Sequence, residues 1–325
     1  MTVSIIIPIY NVSDYVEQCL QSVMEQSYQD IECILVDDCT PDDSIEKCLR
    51  MMSEYNGPIQ FKILHHKRNR GLSAARNTGM DAANGDYIYF LDSDDYIYPI
   101  TIQTLVNTIE EEENIDWACG NFDRNIPFPP HIKVNNGVYT NALFLFSNRK
   151  VYIMVWNHLY RTSFLKKNCL RFKEGVYHED ILWTFSIACH AKKIAIQNIV
   201  TYFYRERIGS ICNIPLQQRY ADICNVCSKM IEYVFEKGLE KKKEIFYCVN
   251  GELKRYYLKS LFSKQPDFVF TFYKYLRKTT FWSFWQIWKL SHDWCRICIH
   301  FHRFMPEQIG FKYFQYVFAK CFDNK

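Results

Sequence analysis

The chain opens on seven residues that are apolar apart from Ser4, Val3-Ser4-Ile5-Ile6-Ile7-Pro8-Ile9. A β-branched run of this kind predicts a strand covered on both faces, as in a parallel sheet. Apolar positions then recur at helical spacing through Val16, Leu20 and Val23, predicting a helix over Val12–Gln26 with Ser13 or Asp14 as its cap. Ile31–Val36 repeats the strand pattern and ends on Asp37-Asp38. Thr40-Pro41-Asp42-Asp43 has the chemistry of a helix start, and the helix should run to about Ser53. Strand Phe61–Leu64, helix Leu72–Ala83, strand Tyr87–Leu91, helix Ile100–Glu113 and strand Trp117–Cys119 continue the alternation. It predicts an α/β fold with an open, mostly parallel sheet flanked by helices, binding its ligand at the strands' C-terminal ends.

Residues 121–150 break this rhythm with Pro127, Pro129, Pro130 and Asn135-Asn136-Gly137, which read as a loop plus hairpin. Regular structure resumes at Trp156–Tyr160, with a helix over Glu179–Ala191 and strands within Ile194–Tyr204. From Leu216 onward the pattern is helical. Charge divides at the same place: residues 1–216 carry 20 Lys and Arg against 26 Asp and Glu, and residues 217–325 carry 19 against 10. Half of the 54 aromatic residues fall in that last third. Two domains follow, 1–216 and a basic, aromatic-rich helical extension over 217–325, the second suited to an anionic surface. With no secretory signal or 18-residue apolar stretch, the fourteen cysteines read as reduced thiols of a cytoplasmic protein.

The candidate chemistry lies at strand ends. Asp37-Asp38 can accept a ring N–H or a ribose hydroxyl, or can merely favour the positive end of a helix. Gly71, Ser73, Ala74 and Ala75 let a ligand approach the backbone at a helix N-terminus, and Arg76 sits one turn in, able to grip a nucleotide or to stand solvated. Asp92-Ser93-Asp94-Asp95 follows the fourth strand, and two carboxylates one residue apart can face one hard divalent cation. His178-Glu179-Asp180 opens a late helix, where Asp180 or Glu179 could serve as a general base, or both could simply favour the helix end.

Taken together, Val3–Asn11, Val36-Asp37-Asp38, Gly71–Asn77 and Phe90–Asp95 resemble the family-2 inverting glycosyltransferases of the GT-A (Rossmann-like) fold. Trp156-Asn157-His158-Leu159-Tyr160-Arg161, Glu179-Asp180 and Tyr204–Ile211 resemble its bacterial capsule, exopolysaccharide and lipopolysaccharide branch. The resemblance implies that Pro8 and Tyr10 line a base pocket, Asp38 accepts from a pyrimidine and Arg76 borders the nucleotide. It implies that Asp92 and Asp94 hold ribose and metal, that Asp180 is the base, and that Arg205 or Arg207 reaches the diphosphate. The donor would be a nucleotide-sugar, a UDP-hexose or UDP-N-acetylhexosamine, and the acceptor a glycan or lipid-linked hydroxyl. Mn2+ or Mg2+ suits the all-oxygen ligands. Two departures stand out. His158 occupies a position where related sequences usually carry Lys, which puts its part in sugar selection in question, and Cys39-Thr40-Pro41 replaces the commoner Gly-Ser-Thr.

Other readings compete. Cys224/Cys227 and Cys295/Cys298 form two C-x-x-C pairs, with His292, His300 and His302 near the second, but i,i+3 cysteines also share a buried helical stripe. Trp282, Trp285 and Trp288 fall on one helical face, suited to peripheral contact with an anionic membrane at the inner face of the cell, or to the extension's own core. No nucleic-acid module accompanies the basic charge. A sugar-phosphate nucleotidyltransferase would want a Gly-rich basic first turn, absent from Tyr10-Asn11-Val12-Ser13. A nucleotide-sugar-binding scaffold without activity is the third alternative.

Overall fold

The computed structural model describes residues 1–124, 135–206, 216–249, 251–252, 270, 273–274 and 305–322. The chain divides into two compact units, Met1–Asn213 and Ile214–Lys325.

The first unit is built on one mixed sheet. Strands β1 (Val3–Ile9), β2 (Ile31–Asp37), β3 (Gln60–His65) and β4 (Tyr87–Phe90) are parallel, in the order β3-β2-β1-β4. Every residue of β1 is buried, which explains why its run is apolar except at Ser4, whose hydroxyl donates to Glu32. Its odd positions, Val3, Ile5, Ile7 and Ile9, share a core with Val16, Leu20 and Val23 of α1 (Val16–Met24) and with Ile102 and Leu105 of α4 (Thr101–Glu110). The opposite face takes α3 (Leu72–Ala82), where a Cβ on Gly79 would stand 2.3 Å from Ile6 Cγ2. Only a glycine lets that helix lie so close to the strand.

Beyond β4 the sheet departs from the parallel scheme. Strand β8 (His158–Arg161) runs antiparallel to β4 and also to β6 (Trp117–Arg124), which in turn pairs parallel with β9 (Ile194–Tyr204). The edge is β5 (Tyr96–Ile97), a two-residue strand that no apolar run announces. The hairpin expected within residues 121–150 is not what the described part forms. β7 (Gly137–Tyr139) pairs with distant β9, and Ala142–Ser147 is a helix, α5. Residues 125–134 lie outside the described residues.

Two helix starts also move. The first turn after β1 is irregular, and α1 begins at Val16. Helix α2 (Ser44–Glu54) begins four residues after Thr40, because the Thr40 hydroxyl donates to Asp42 Oδ1 at 2.6 Å. A short α6 (Thr162–Lys167) follows β8 directly, and α7 (Glu179–His190) is buried continuously from Ile181 to Cys189. Only its first turn is acidic.

In the second unit, α8 (Leu216–Glu236) buries Ile223, Val226, Cys227, Met230, Ile231 and Val234, a stripe at helical spacing. Cys227 therefore belongs to a packed helix face. Cys295, Cys298, the three histidines near them and Trp282, Trp285 and Trp288 lie outside the described residues. Among the described residues, no helix is long and apolar enough to cross a membrane.

Adding a methyl group at Gly79 forces α3 away from Ile6. Gly79→Ala should cost about 1–3 kcal/mol, which thermal unfolding should register as a fall of several degrees.

Candidate active site

Because β1 to β4 are parallel, their C-terminal ends deliver Tyr10, Asp37-Asp38, His65-His66 and Asp92 to one edge of the sheet. Such an edge, next to the strand where the chain reverses its winding, is where open α/β sheets take ligands. Pro8 is buried inside β1, and Tyr10 is 46% exposed just past its end. The turn carrying Tyr10 is tied to the next strand-end loop. Asn11 N–H donates to Thr40 Oγ1 and Ser13 N–H to Asp42 Oδ2, both at 2.8 Å. Cys39 has φ 59°, in the left-handed region where a glycine is at ease, so the family's usual residue fits this turn with less strain.

Asp38 is buried and committed to its own chain. Arg70 N–H donates to Oδ1 at 2.8 Å, Gly71 N–H donates to Oδ2 at 2.7 Å, and His66 Nδ1 lies 2.6 Å from Oδ1. His66 Nε2 lies 2.8 Å from Thr78 Oγ1 on α3. Asp38 thus shapes the small-residue loop. Gly71 there adopts φ 86° and ψ 164°, a conformation essentially restricted to glycine. His66 had no place in the sequence reading. Its signal was position: it follows β3 as Asp38 follows β2.

Arg76 departs most from expectation. It is 2% exposed, and its two terminal nitrogens are divided between carboxylates from remote parts of the chain. Nη2 donates to Asp92 Oδ1 at 2.7 Å, and Nη1 donates to Glu179 Oε1 at 2.8 Å. Nε is buried without a hydrogen-bond partner among the described residues. Burial alone would lower its pKa, and the two carboxylates more than reverse that, so the charge is secure. The guanidinium also lies 5.4 Å from the centroid of Phe172, whose ring stacks on Trp183 of α7 at 4.0 Å.

Asp92, Ser93, Asp94 and Asp95 occupy the turn after β4, with Asp92 and Asp94 half-buried and Asp95 buried. Asp95 accepts from Tyr202 O–H at 2.6 Å and from Arg205 N–H at 2.7 Å, so it clamps the turn to the end of β9. Burial first, and then the charges of Asp94 and Asp92, push its carboxyl well above the usual carboxylate range. Three acids crowded into four residues are what a dication relieves, and carboxylate oxygens suit Mg2+ or Mn2+. No group of three metal-capable side chains occurs among the described residues, so Asp92 and Asp94 would need further oxygens from a ligand or water. Arg205 also reaches this turn. Its Nε donates to Asp94 C=O at 2.9 Å, and its guanidinium also meets Gln18 and lies over Tyr15 at 5.2 Å. Arg207 lies outside the described residues.

At the start of α7, Glu179 belongs to the Arg76 bridge and Asp180 stands beside it. Asp180 is half-buried, and its Oδ1 accepts the Ile181 N–H at 2.9 Å. Burial, then the neighbouring Glu179 charge, raises its pKa to about 7, against smaller opposing pulls from Ile181 N–H, Arg76 and Arg149. A carboxyl poised there can take up a proton near neutral pH. Arg149, in a left-handed turn after α5, is a second cation that the sequence reading did not connect with this site.

Trp156 stacks on Tyr202 at 4.3 Å, and buried Asn157 accepts from Thr201 Oγ1 at 2.8 Å and donates to Asn121 C=O at 2.8 Å. His158 points into the core against Trp117, 5.1 Å between ring centroids, and burial pushes its pKa down to about 3. It is a neutral, buried ring, unlike the charged Lys that related sequences carry there.

The geometry agrees with what this chain is similar to. The family model described as Glycosyl transferase family 2 matches residues 4–168, from β1 through α6, and stops short of Glu179 and Asp180. The uncharacterized glycosyltransferase EpsJ of Bacillus subtilis is 34% identical over 223 residues, covering 66% of this chain and 63% of its own length, so the match spans less than two thirds of that relative. The crystal structure of residues 1–349 of Staphylococcus aureus TarS with UDP-GlcNAc superposes with a TM-score of 0.72 at 18% identity, covering all of this chain and 93% of that one. The mannosyltransferase PcManGT of Pyrobaculum calidifontis, solved with GDP-Man and Mn2+, gives 0.55 at 12% identity over 99% and 88% of the two chains. The parallel half-sheet, the acidic turn after β4 and the family match agree: this chain has the GT-A fold and belongs to glycosyl transferase family 2.

Proposed function

We propose that this chain transfers a sugar from a nucleoside-diphosphate donor, a UDP-hexose or UDP-N-acetylhexosamine, to a hydroxyl of a glycan or lipid-linked acceptor in cell-surface polysaccharide synthesis. The observation that carries this reading is the Arg76 bridge, because it joins the acidic turn after β4 to the helix start that bears Asp180. A donor-side carboxylate and a carboxyl with a pKa near 7 thus stand at two ends of one ion cluster. TarS was solved with UDP-GlcNAc and with UDP, which supports a uridine donor here.

In this reading Asp180 removes the acceptor proton and the acceptor oxygen displaces the nucleoside diphosphate with inversion. A sugar hydroxyl is too weak a nucleophile without such a base. Tyr10 and Pro8 border the base, and Asp38 supports that pocket through the loop it pins. Asp92 and Asp94 would hold a divalent cation, which when bound offsets the charge of the leaving diphosphate. Arg205 steadies the same turn through the Asp94 carbonyl, and Arg207 is assigned to the diphosphate. The basic second unit would keep the enzyme at the inner face of the cell membrane, near a lipid-linked acceptor.

The first test is a panel of nucleotide sugars with Mn2+, run on the wild type and on Asp180→Asn. Transfer by the wild type should rise with pH along a limb centred near 7, and the Asn variant should lose at least about 100-fold in kcat while its donor Kd stays within about twofold. A variant with full activity would remove Asp180 as base. Stability should move the other way. A carboxyl whose folded pKa is raised contributes stability only while protonated, and this is lost progressively between about pH 4 and pH 7. Asp180→Asn should therefore melt above the wild type at pH 8, by of order 1–3 kcal/mol, with the gap closing toward pH 4. For the acidic turn, calorimetry should show Mn2+ tightening UDP binding about tenfold or more in the wild type and leaving it unchanged in Asp94→Asn.

A further inference from the structure

Arg76 was expected at the nucleotide, yet both of its terminal nitrogens are spent on protein carboxylates. Turning it toward a diphosphate would break a bridge that is 98% buried on the arginine side, leaving Asp92 and Glu179 without their shared partner. Breaking it would leave the buried guanidinium without either carboxylate that secures its charge. The bridge is also part of a longer mount. Asn77, one residue on, exchanges two hydrogen bonds with the backbone of Phe172, each 3.0 Å, and Asp81, one turn beyond, receives Arg171 Nη2 at 2.7 Å. At the near end Arg70 reaches Glu174 at 3.3 Å. Helix α3 and the loop before it therefore hold the whole segment 171–179 that leads into α7. Through Phe172, stacked between the Arg76 guanidinium and Trp183, they hold the helix as well.

The segment needs such a mount. Gly175 at φ 72° and His178 at φ 58° are two left-handed residues within four positions, and α7 starts on His178 without a side-chain cap. Among the described residues, its most deeply buried ion pair is Glu179 with Arg76.

We infer that Arg76 is a positioning residue, tying the donor-edge carboxylate Asp92 to Glu179 and thereby setting where Asp180 stands relative to the donor. This rests on Asp180 being the base. The planar fork is essential to the role, since it supplies two divergent N–H groups to two acids, whereas a lysine offers one point charge. The groups acting on Asp180 come from several elements: Glu179 and the Ile181 N–H from the helix start, Arg76 from α3 with Asp92 behind it, and Arg149 from the turn after α5.

The test compares Arg76→Lys, Glu179→Gln and Glu112→Gln with the wild type, using steady-state kinetics across pH. For a positioning residue, Arg76→Lys should lose about 10–100-fold in kcat, with the donor KM within about threefold. Glu179→Gln should lose kcat similarly and shift the midpoint of the kcat–pH curve downward by about half a unit or more, because its charge holds that midpoint up. Glu112→Gln, which loosens an exposed pair with Lys193 outside this mount, should leave both parameters unchanged. A donor KM raised tenfold or more with kcat retained in Arg76→Lys would overturn the inference and return Arg76 to the nucleotide. Equal losses of melting temperature in Arg76→Lys and Glu179→Gln, with the wild-type kcat and midpoint, would reduce the bridge to a structural tie. If Arg76→Lys does not fold, Glu179→Gln decides alone. Asp180→Asn is run alongside: if it retains transfer, the base assignment fails, whereas if it is inactive while Arg76→Lys and Glu179→Gln match the wild type, only the positioning role fails.

Discussion

One buried arginine holds the candidate site together. Arg76 takes a carboxylate from the turn after β4 and another from the start of α7, segments 87 residues apart in sequence, and shares one charge between them. The buried partner is the guanidinium: at 2% exposure its charge needs both half-buried carboxylates beside it. Of the two acids in the first turn of α7, Asp180 is the one that no arginine among the described residues binds directly. That is why its carboxyl responds to burial and to Glu179, and why its pKa rises while Arg76 stays charged.

The bridge can form only because the sheet first brings its parts to one edge. Parallel pairing of β1 with β2 and with β4 places the turns after all three strands on the same side, and the close seat of α3 on Ile6 carries Arg76 beneath them. Asp38 then fixes the loop at the head of α3 through Arg70 and Gly71, and Asp95 fixes the acidic turn to β9 through Tyr202 and Arg205. Two of the acids in the strand-end clusters, Asp38 and Asp95, thus hold the loops of this edge, while Asp92 and Asp94 stay half-buried.

Much of this was legible in the sequence where the physics is local. The largely apolar run of β1, the strand endings at Asp37-Asp38 and Asp92–Asp95, and the small residues of α3 follow from burial and close packing within a few residues. What was not legible depends on partners far along the chain. β5 has two residues and exists only because β9 pairs with it, and β8 enters between β4 and β6 antiparallel, which no periodicity announces. The hydroxyl of Thr40 caps no helix because Asp42 claims it. Arg76 has no counter-charge in its own turn, so its partners 16 and 103 residues away could not be read from spacing. The sequence left the part of His158 in sugar selection in question, and its depth beside Trp117 and Tyr160 makes it a neutral core ring.

A crystal structure of the chain with Mn2+, an unreactive UDP-sugar analogue and an acceptor sugar would put this arrangement under the hardest test. Arg76 should still bridge Asp92 and Glu179, the acidic turn should face the diphosphate, and an Asp180 oxygen should lie within about 2.6–3.2 Å of the acceptor hydroxyl. An Arg76 guanidinium bound to the diphosphate, with Asp180 turned away from the sugar, would refute it.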